Sequence, residues 1–280
     1  MKKQILVLSL VAMCISSHAQ QLSNVEEQCS ITEAGTSKPI ENTVTNTASD
    51  KNNWGARFKA SNFHLGLDLQ TKYVWRGMEM MPDESSPVLF PCINSSWKGL
   101  NVYTMGGYAV NGKYAEVDMG VSYSWKGFTI GLYDYYYPTI SGKDDEYLGG
   151  NHNGHWLEAS ITYAPEKLPL WFTISNFFAG DDDVYNDASG KSKQAYSTYM
   201  EVGTYYDFID NNRLAFAVGV TPYKSCYTNY QKKFAVCNLD LKYTYNVQFK
   251  SGWILPLSAE YIYNPAFDKS YVNFVANFAF

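Results

Sequence analysis

The segment from Phe63 to Gly77 alternates between apolar and polar side chains over about 15 residues, and a period of two is that of a β-strand. One face carries Phe63, Leu65, Leu67, Leu69, Tyr73 and Trp75, and the other carries His64, Asp68, Gln70, Lys72 and Arg76. A usual strand has about 5 to 6 residues, whereas a tilted membrane strand has roughly 9 to 11 plus its protruding ends. The segment therefore predicts one strand of a transmembrane β-barrel, with one face towards lipid and the other towards water.

The N-terminus predicts export. Lys2 and Lys3 precede an apolar stretch that ends at Met13, and Ser17-His18-Ala19 fits a cleavage site for signal peptidase. We expect residues 1–19 to be a signal peptide. The alternative is a lipoprotein with its lipid on Cys14, although Met13 is a poor residue before such a site.

Composition narrows the class of membrane protein. The hydrophobic fraction is 46%, yet the mean hydropathy is −0.29, and nothing after Met13 approaches the roughly 18 consecutive apolar residues of a membrane helix. A closed barrel would satisfy its backbone in lipid. The 24 tyrosines, 15 phenylalanines and 7 tryptophans fit aromatic girdles, although a soluble all-β lectin can also be rich in tyrosine. The net charge of −5 argues against nucleic acid as a partner.

The chain after the signal peptide divides into two parts. Residues 20–60 are polar and lack alternation, which predicts a flexible periplasmic leader or, alternatively, a plug that enters the barrel. Residues 61–280 predict an antiparallel up-and-down barrel of about twelve strands, an even number as in single-chain bacterial barrels. The predicted strands are 63–77, 87–97, 100–110, 114–125, 128–137, 155–163, 170–179, 195–206, 213–222, 234–245, 253–263 and 270–280. The second is the weakest, because Pro87 and Pro91 remove donors from the ladder.

The connections fall into two groups. Ser96-Trp97-Lys98-Gly99 recurs as Ser124-Trp125-Lys126-Gly127, and each copy predicts a tight hairpin turn. Most connections on this side are short, whereas 138–154, 180–194 and 222–233 on the other side are longer. Short turns are typical of the periplasmic side and long loops of the extracellular side. We therefore expect the start of the first strand and the end of the last strand to lie on the periplasmic side.

The last strand alternates and stops on an aromatic residue. Phe274, Phe278 and Phe280 share its apolar face, and a terminal strand that ends in phenylalanine resembles the assembly signal of outer-membrane barrels. We therefore expect the barrel-assembly machinery and outer-membrane lipid as partners, and the bacterial outer membrane as the location.

Five short motifs follow one another along the predicted barrel. They are Thr71-Lys72-Tyr73-Val74-Trp75-Arg76-Gly77, Ala115-Glu116-Val117-Asp118-Met119-Gly120-Val121-Ser122-Tyr123, Gly131-Leu132-Tyr133-Asp134-Tyr135-Tyr136-Tyr137-Pro138, Tyr199-Met200-Glu201-Val202-Gly203 and Asn264-Pro265. Taken in this order, they resemble the TorF-like family of outer-membrane porins. The long leader before Phe63 and Pro91 in the second strand depart from the pattern. The resemblance implies a porin-like barrel and no particular solute.

The inward faces of the predicted strands carry more acid than base. We predict that the pore is lined by Asp68, Lys72, Arg76, Glu116, Asp118, Glu158, Glu201, Asp240, Lys242 and Glu260. About twelve strands enclose a lumen between the packed interior of eight strands and the wide channel of sixteen. The expected function is therefore passive diffusion of small solutes or ions, with a preference for cations and with Arg76 as a constriction charge near the outer mouth. The alternative is a closed structural or surface-recognition barrel in which these charges pair across the interior.

An outer-membrane lipase or protease is the less favoured alternative, because it needs a nucleophile beside a base. His64, His152 and His155 are the histidines after the signal peptide, and no serine or aspartate beside them has a recognisable motif context. We expect no enzymatic activity, no cofactor and no metal. Asp181 to Asp183, with Asp187 nearby, predict a solvated external loop rather than a calcium site, since the spacing of an EF-hand is missing.

The four cysteines after the signal peptide are Cys29, Cys92, Cys226 and Cys237, which lack the spacing of metal ligands. Cys226 and Cys237 flank one predicted loop. They either form a disulfide across it or remain free thiols.

Overall fold

The chain forms a closed barrel, described in a computed structural model for residues 63–82, 85–138, 147, 154–186 and 191–280. The predicted signal peptide and leader lie outside the described residues. The strands are β1 (Phe63–Gln70), β2 (Val74–Trp75), β3 (Met78–Glu79), β4 (Val88–Trp97), β5 (Leu100–Ala109), β6 (Ala115–Trp125), β7 (Phe128–Tyr136), β8 (His155–Tyr163), β9 (Leu170–Gly180), β10 (Asp183–Asn186), β11 (Lys191–Gln194), β12 (Thr198–Ile209), β13 (Asn212–Thr221), β14 (Ala235–Gln248), β15 (Ile254–Asn264) and β16 (Lys269–Ala279).

Twelve of the described strands make up the wall, in the order β1-β16-β15-β14-β13-β12-β9-β8-β7-β6-β5-β4, and every neighbouring pair is antiparallel. Leu67 in β1 pairs with Phe278 of β16 on one side and with Pro91 of β4 on the other, which closes the ring. The predicted fold class, an all-β antiparallel barrel of about twelve strands, is confirmed. β2 with β3 and β10 with β11 form two small hairpins outside the wall ladder.

The uncertain second strand is part of the wall. β4 pairs with β1 along its length, but its register with β5 passes from Leu89–Tyr108 directly to Cys92–Met105. The ladder with β5 is therefore interrupted at Phe90 and Pro91, which is where proline removes a donor. The interruption is local because β1 still holds this part of β4.

The two groups of connections are separated as predicted. Lys98 and Gly99 have φ values of 49° and 86°, and Lys126 and Gly127 have 49° and 82°, as two-residue hairpin turns require. Together with residues 164–169, 210–211 and 249–253, these short turns lie at one end of the barrel. Both ends of the barrel sequence, at the start of β1 and the end of β16, lie at that same end.

The outer surface of the barrel is apolar. For example, the apolar side chains of Leu65, Ile130 and Val272 on this surface are exposed by 51%, 58% and 53%. The side chains of Trp97 and Trp125 lie beside two of the short turns. The ammonium group of Lys98 is 5.3 Å from the centroid of the Trp97 ring, and that of Lys126 is 4.7 Å from the centroid of the Trp125 ring. Such an apolar belt with an aromatic edge is the surface that a transmembrane β-barrel presents to lipid. No helix within the described residues is long and apolar enough to cross a membrane.

Candidate functional site

The barrel interior holds most of the residues that the sequence placed there. Asp68, Glu116, Asp118, Glu158 and Glu201 are exposed by no more than 3%, and Asp240, Lys242 and Glu260 line an internal cavity. Successive side chains of a strand point to opposite faces, so every second residue of each wall strand points into the barrel. Lys72 and Arg76 differ from the others, because neither belongs to a wall strand.

The first strand is shorter than the sequence predicts. β1 ends at Gln70, and the chain then folds back through the β2–β3 hairpin, whose turn is formed by Arg76 and Gly77 with φ values of 48° and 78°. The prediction that β1 extends to Gly77 is wrong, and so is the prediction that Tyr73 and Trp75 face lipid. Both rings are buried inside the barrel, exposed by 6% and 7%. The alternation continued past Gln70 because an inserted hairpin also has two faces.

The β2–β3 hairpin crosses the interior of the barrel. The Trp75 ring lies 5.7 Å from Tyr135 of β7 and 6.1 Å from Phe177 of β9, measured between ring centroids. On the other side, the Asn264 amide donates a 2.9 Å hydrogen bond to the Gly77 carbonyl. A Cβ on Gly77 would lie 2.0 Å from the Cys237 carbonyl oxygen, so only glycine allows this approach.

Arg76 at the tip of the hairpin is fully enclosed, with 2% of its surface exposed. Its Nη1 donates to Glu158 Oε2 at 2.5 Å and its Nη2 to Glu158 Oε1 at 3.0 Å. Nη1 also donates to the Tyr227 hydroxyl at 2.7 Å, and Nη2 to Ser175 Oγ at 3.1 Å. A buried guanidinium needs this complete set of acceptors, because an unpaired buried charge is costly.

Aromatic rings enclose the Arg76 guanidinium. Its Cζ lies 4.4 Å from the Trp75 ring centroid and 4.7 Å from that of Tyr199, with the Tyr227 ring 5.9 Å away. Such contacts attract a cation to the negative face of the ring. We call Arg76, Glu158, Ser175, Tyr199 and Tyr227 the arginine node.

A second segment enters the barrel from the same end. The connection between β13 and β14 contains a short 3-10 turn, Cys226–Thr228, which places Tyr227 at 0% exposure. The Cys226 amide donates to Ser197 Oγ at 2.9 Å, which ties this connection to the start of β12. Together with the β2–β3 hairpin, it fills the end of the barrel opposite the short turns.

Asp182 holds the neighbouring connections in place. It is fully buried and accepts hydrogen bonds from the Ser197 amide at 2.6 Å, the Ser197 hydroxyl at 2.7 Å and the Tyr230 hydroxyl at 3.0 Å. Burial raises the pKa of Asp182, and these hydrogen bonds oppose that shift. The prediction of a solvated loop is wrong for this residue, which is a structural acceptor. Asp187 lies outside the described residues.

Two inward carboxylates lie on β6 near the inserted hairpin. Glu116 accepts a hydrogen bond from the Tyr114 hydroxyl at 2.6 Å, and Tyr73 packs edge-on against Phe90 beside it, with ring centroids 4.9 Å apart. Among the described residues, Glu116 Oε1 and Asp118 Oδ1 are buried without a hydrogen-bond donor. Both carboxyl groups therefore lie on the inward face of β6.

Within the described residues, Glu201 is held by two aromatic donors and not by a cation. Trp171 Nε1 donates to its Oε1 at 2.7 Å and the Tyr199 hydroxyl to its Oε2 at 2.6 Å. The Trp171 indole fits against Gly203, where a Cβ would lie 1.9 Å from Cζ2. The absence of a side chain at Gly203 thus makes room for the indole that donates to Glu201.

The inward cations are each paired. Lys242 Nζ lies 2.7 Å from Glu260 Oε1, Arg76 pairs with Glu158, and Lys72 forms an ion pair with Glu79. Charge pairing inside the barrel, which the sequence left as an alternative, therefore occurs at these positions. Asp68, Glu116, Asp118, Glu201 and Asp240 also face the interior, so the described part of the wall carries more carboxylates than cations.

His155 at the start of β8 is held by contacts with an acidic side chain, a backbone carbonyl and an aromatic ring. His155 Nδ1 lies 2.9 Å from both carboxylate oxygens of Asp134, and its Nε2 lies 2.8 Å from the Tyr147 carbonyl. Its ring stacks on Tyr136 at 4.6 Å. Both ring nitrogens are thus engaged in structural contacts. His152 lies outside the described residues, and no group of three metal-binding side chains occurs among those described.

The described cysteines differ in state. Neither Cys226 nor Cys237 forms a disulfide, so the bridge between them that the sequence allowed is not present. Cys92 is disulfide-bonded, and Cys29 lies outside the described residues. Burial raises the pKa of the Cys226 thiol well above its ordinary value, which keeps it protonated at neutral pH.

Sequence reasoning missed the partners of Arg76. Ser175, Tyr199 and Tyr227 lie on β9, β12 and the β13–β14 connection, and nothing in their spacing marks them as neighbours. The sequence signal that could have indicated the inserted hairpin was Gly77, because glycine is common in the two-residue turns of hairpins.

The chain matches no protein-family model and no curated protein. Solved structures that resemble it include the NanC porin, with 11% identity, 77% of this chain and 98% of that chain covered, and a TM-score of 0.45. The KdgM porin has 8% identity, 78% and 98% coverage, and a TM-score of 0.43. OccK8 (OprE) of Pseudomonas aeruginosa has 10% identity, 79% and 68% coverage, and a TM-score of 0.38.

Proposed function

We propose that this protein is a porin-like channel of the bacterial outer membrane that allows passive diffusion of small ions and solutes and prefers cations. The observation that carries the proposal is a closed barrel with an apolar exterior and an interior wall in which carboxylates exceed cations. The resemblance to TorF-like porins and the predicted signal peptide support the location. In this orientation the short turns face the periplasm, and the inserted hairpin lies at the end of the barrel that faces the cell exterior.

The preference for cations follows from the wall chemistry. Glu116, Asp118 and Glu201 are buried in the wall, and none of them forms an ion pair with a lysine or arginine within the described residues. Fixed negative charge in a narrow passage of low dielectric raises the local concentration of cations and repels anions.

The arginine node determines how wide the passage is. The β2–β3 hairpin, Tyr227 and their aromatic neighbours fill the outer end of the barrel, so this conformation is closed or very narrow there. Conduction requires these segments to move or to leave a path for small ions. This same observation favours the second candidate, a closed structural or surface-recognition barrel without transport.

Planar-bilayer recordings of the refolded mature protein distinguish the two. We expect stable conductance steps and a reversal potential, under a salt gradient, that shows cation selectivity. A combined Glu116→Gln and Asp118→Asn variant should shift that potential towards zero. Asp210→Asn, in an exposed periplasmic turn, is the matched control for charge. A folded protein that never conducts would favour the structural barrel, and anion selectivity would contradict the role of the wall carboxylates.

A further inference from the structure

A small internal cavity lies against the wall formed by β13, β14 and β15. It measures about 50 Å³, room for a few water molecules or one partly hydrated ion. The space exists because the inward residue of β13 at this level is Ala217, which pairs with Asp240 of β14. A larger side chain there would fill it.

Two oxygen atoms at this cavity have no hydrogen-bond donor among the described residues. Asn238 is 1% exposed, and its Oδ1 is unpaired while its Nδ2 donates to the Tyr199 hydroxyl at 3.2 Å. Asp240 Oδ1, two residues along the same strand, is buried and also unpaired. Buried acceptors without donors are costly, so a missing partner is expected at each.

The surrounding charges favour a cation as that partner. Asp68, Asp240 and Glu260 line the cavity together with Lys242 as its cation, so carboxylates exceed ammonium groups. Glu260 is already satisfied, because Lys242 Nζ lies 2.7 Å from Oε1 and the Asn273 amide donates to Oε2 at 3.0 Å. The negative charge of Asp240 is thus left without a bonded cation.

The ligand set favours a monovalent ion over a divalent one. The protein offers one amide oxygen and one carboxylate oxygen here, and water would complete the coordination. Calcium instead takes six to eight oxygen ligands at short distance. Trp75 and Trp171 also line the cavity.

We propose that this cavity binds a partly hydrated alkali cation through Asn238 Oδ1 and Asp240 Oδ1, as a resting position on the inner side of the β2–β3 hairpin. The inference deepens the proposed channel and rests on it for the role of the ion. Binding itself does not depend on conduction, so the two can fail separately.

The test is thermal unfolding of the folded protein in detergent, at constant ionic strength, with potassium or rubidium chloride replacing the chloride of a bulky organic cation. A ligand that binds only the folded state raises the midpoint, here by about 3 °C at saturating ion. Asp240→Asn, which removes the charge, and Ala217→Leu, which fills the space, should each abolish the rise. Asp210→Asn should retain it.

Crystals grown with rubidium chloride provide a second measurement that does not depend on the stability of any variant. An anomalous peak within the cavity is expected. A midpoint that is the same in alkali and bulky cations, a rise retained in both cavity variants, or ordered water without an anomalous peak would overturn the site. If alkali cations raise the unfolding midpoint but no conductance appears, the cation site is supported and the channel function is contradicted. If conductance appears without any rise of the midpoint, the channel function is supported and the cation site is contradicted.

Discussion

Arg76 and Glu158 form a bidentate ion pair inside the barrel, with Nη–Oε distances of 2.5 and 3.0 Å and exposures of 2% and 0%. Arg76 belongs to a hairpin that has left the wall, and Glu158 belongs to β8 across the interior. The pair therefore fixes the inserted segment to the opposite wall, and both the stability and the closure of the outer end should depend on it.

Replacing Arg76 by alanine should destabilise the folded barrel by about 3–5 kcal/mol, because Glu158 is left as a buried unpaired charge. The temperature at which the unheated band converts to the boiled band in a gel measures this loss. Arg213→Ala is the control, since Arg213 pairs with Asp207 in a partly exposed position and such pairs contribute at most about 1 kcal/mol. An equal shift for both variants would contradict the role of the arginine node.

Gly77→Ala should prevent the hairpin from seating. The added Cβ meets the Cys237 carbonyl oxygen at 2.0 Å, and the φ value of 78° is unfavourable for alanine. We expect larger or more frequent conductance steps than in the wild type. Gly112→Ala is a close control, because Gly112 has a φ value of 72° but nothing within 4 Å of its Cβ position. If both variants conduct alike, backbone strain rather than the contact with β14 explains the effect.

Thiol labelling should report the position of the inserted segments. Cys237 is fully buried, so in a Cys226→Ser background we expect no maleimide labelling before boiling and clear labelling in Gly77→Ala. Rapid labelling of Cys237 in the wild-type barrel would mean that the interior is open to solvent.

Cys226 should react slowly and in a pH-dependent way. Its pKa is raised by burial, and the thiolate is the reactive form, so the labelling rate at neutral pH is low and rises as the pH increases towards that pKa. The measurement is the rate in a Cys237→Ala background across the alkaline range, with a small free thiol as the reference. A rate that levels off near the pH expected for an ordinary thiol would show that Cys226 is not held in a buried environment.

Deleting Phe280 should reduce the amount of barrel assembled in the outer membrane. Phe280 follows β16 and is exposed by 76%, so its removal costs the folded protein little packing. A lower yield with an unchanged unfolding temperature would thus assign Phe280 to assembly. Phe208→Ala, another exposed aromatic residue on the outer surface, is the control for lost apolar area. Normal yield on deletion would remove the assembly role from Phe280.

The wall was predictable because its signal is local. Ala115 to Trp125 alternates in sequence and forms β6 with the same two faces, and the Lys98-Gly99 and Lys126-Gly127 turns occur where their positive φ values require. A strand needs only a neighbour on each side to satisfy its backbone. The period of two and the turn residues therefore specify most of the barrel.

The inserted hairpin was not predictable from the same signal. Tyr73 and Trp75 continue the alternation of β1, and a pattern of apolar residues does not distinguish a lipid face from an aromatic cluster inside the barrel. The Asp181 to Asp183 segment was misread for a related reason, since burial of Asp182 depends on Ser197 and Tyr230, which lie elsewhere in the chain.

The sequence by itself determined the strand number, the hairpin turns and which strand residues point inward, since each depends on neighbouring residues and on the two-residue period. Only the tertiary structure decided which inward charges meet, that the chain after Gln70 enters the barrel, and that Ala217 leaves a cavity beside Asn238 and Asp240. These features join residues that are distant in the chain, and their contacts are set by closure of the ring rather than by any local pattern.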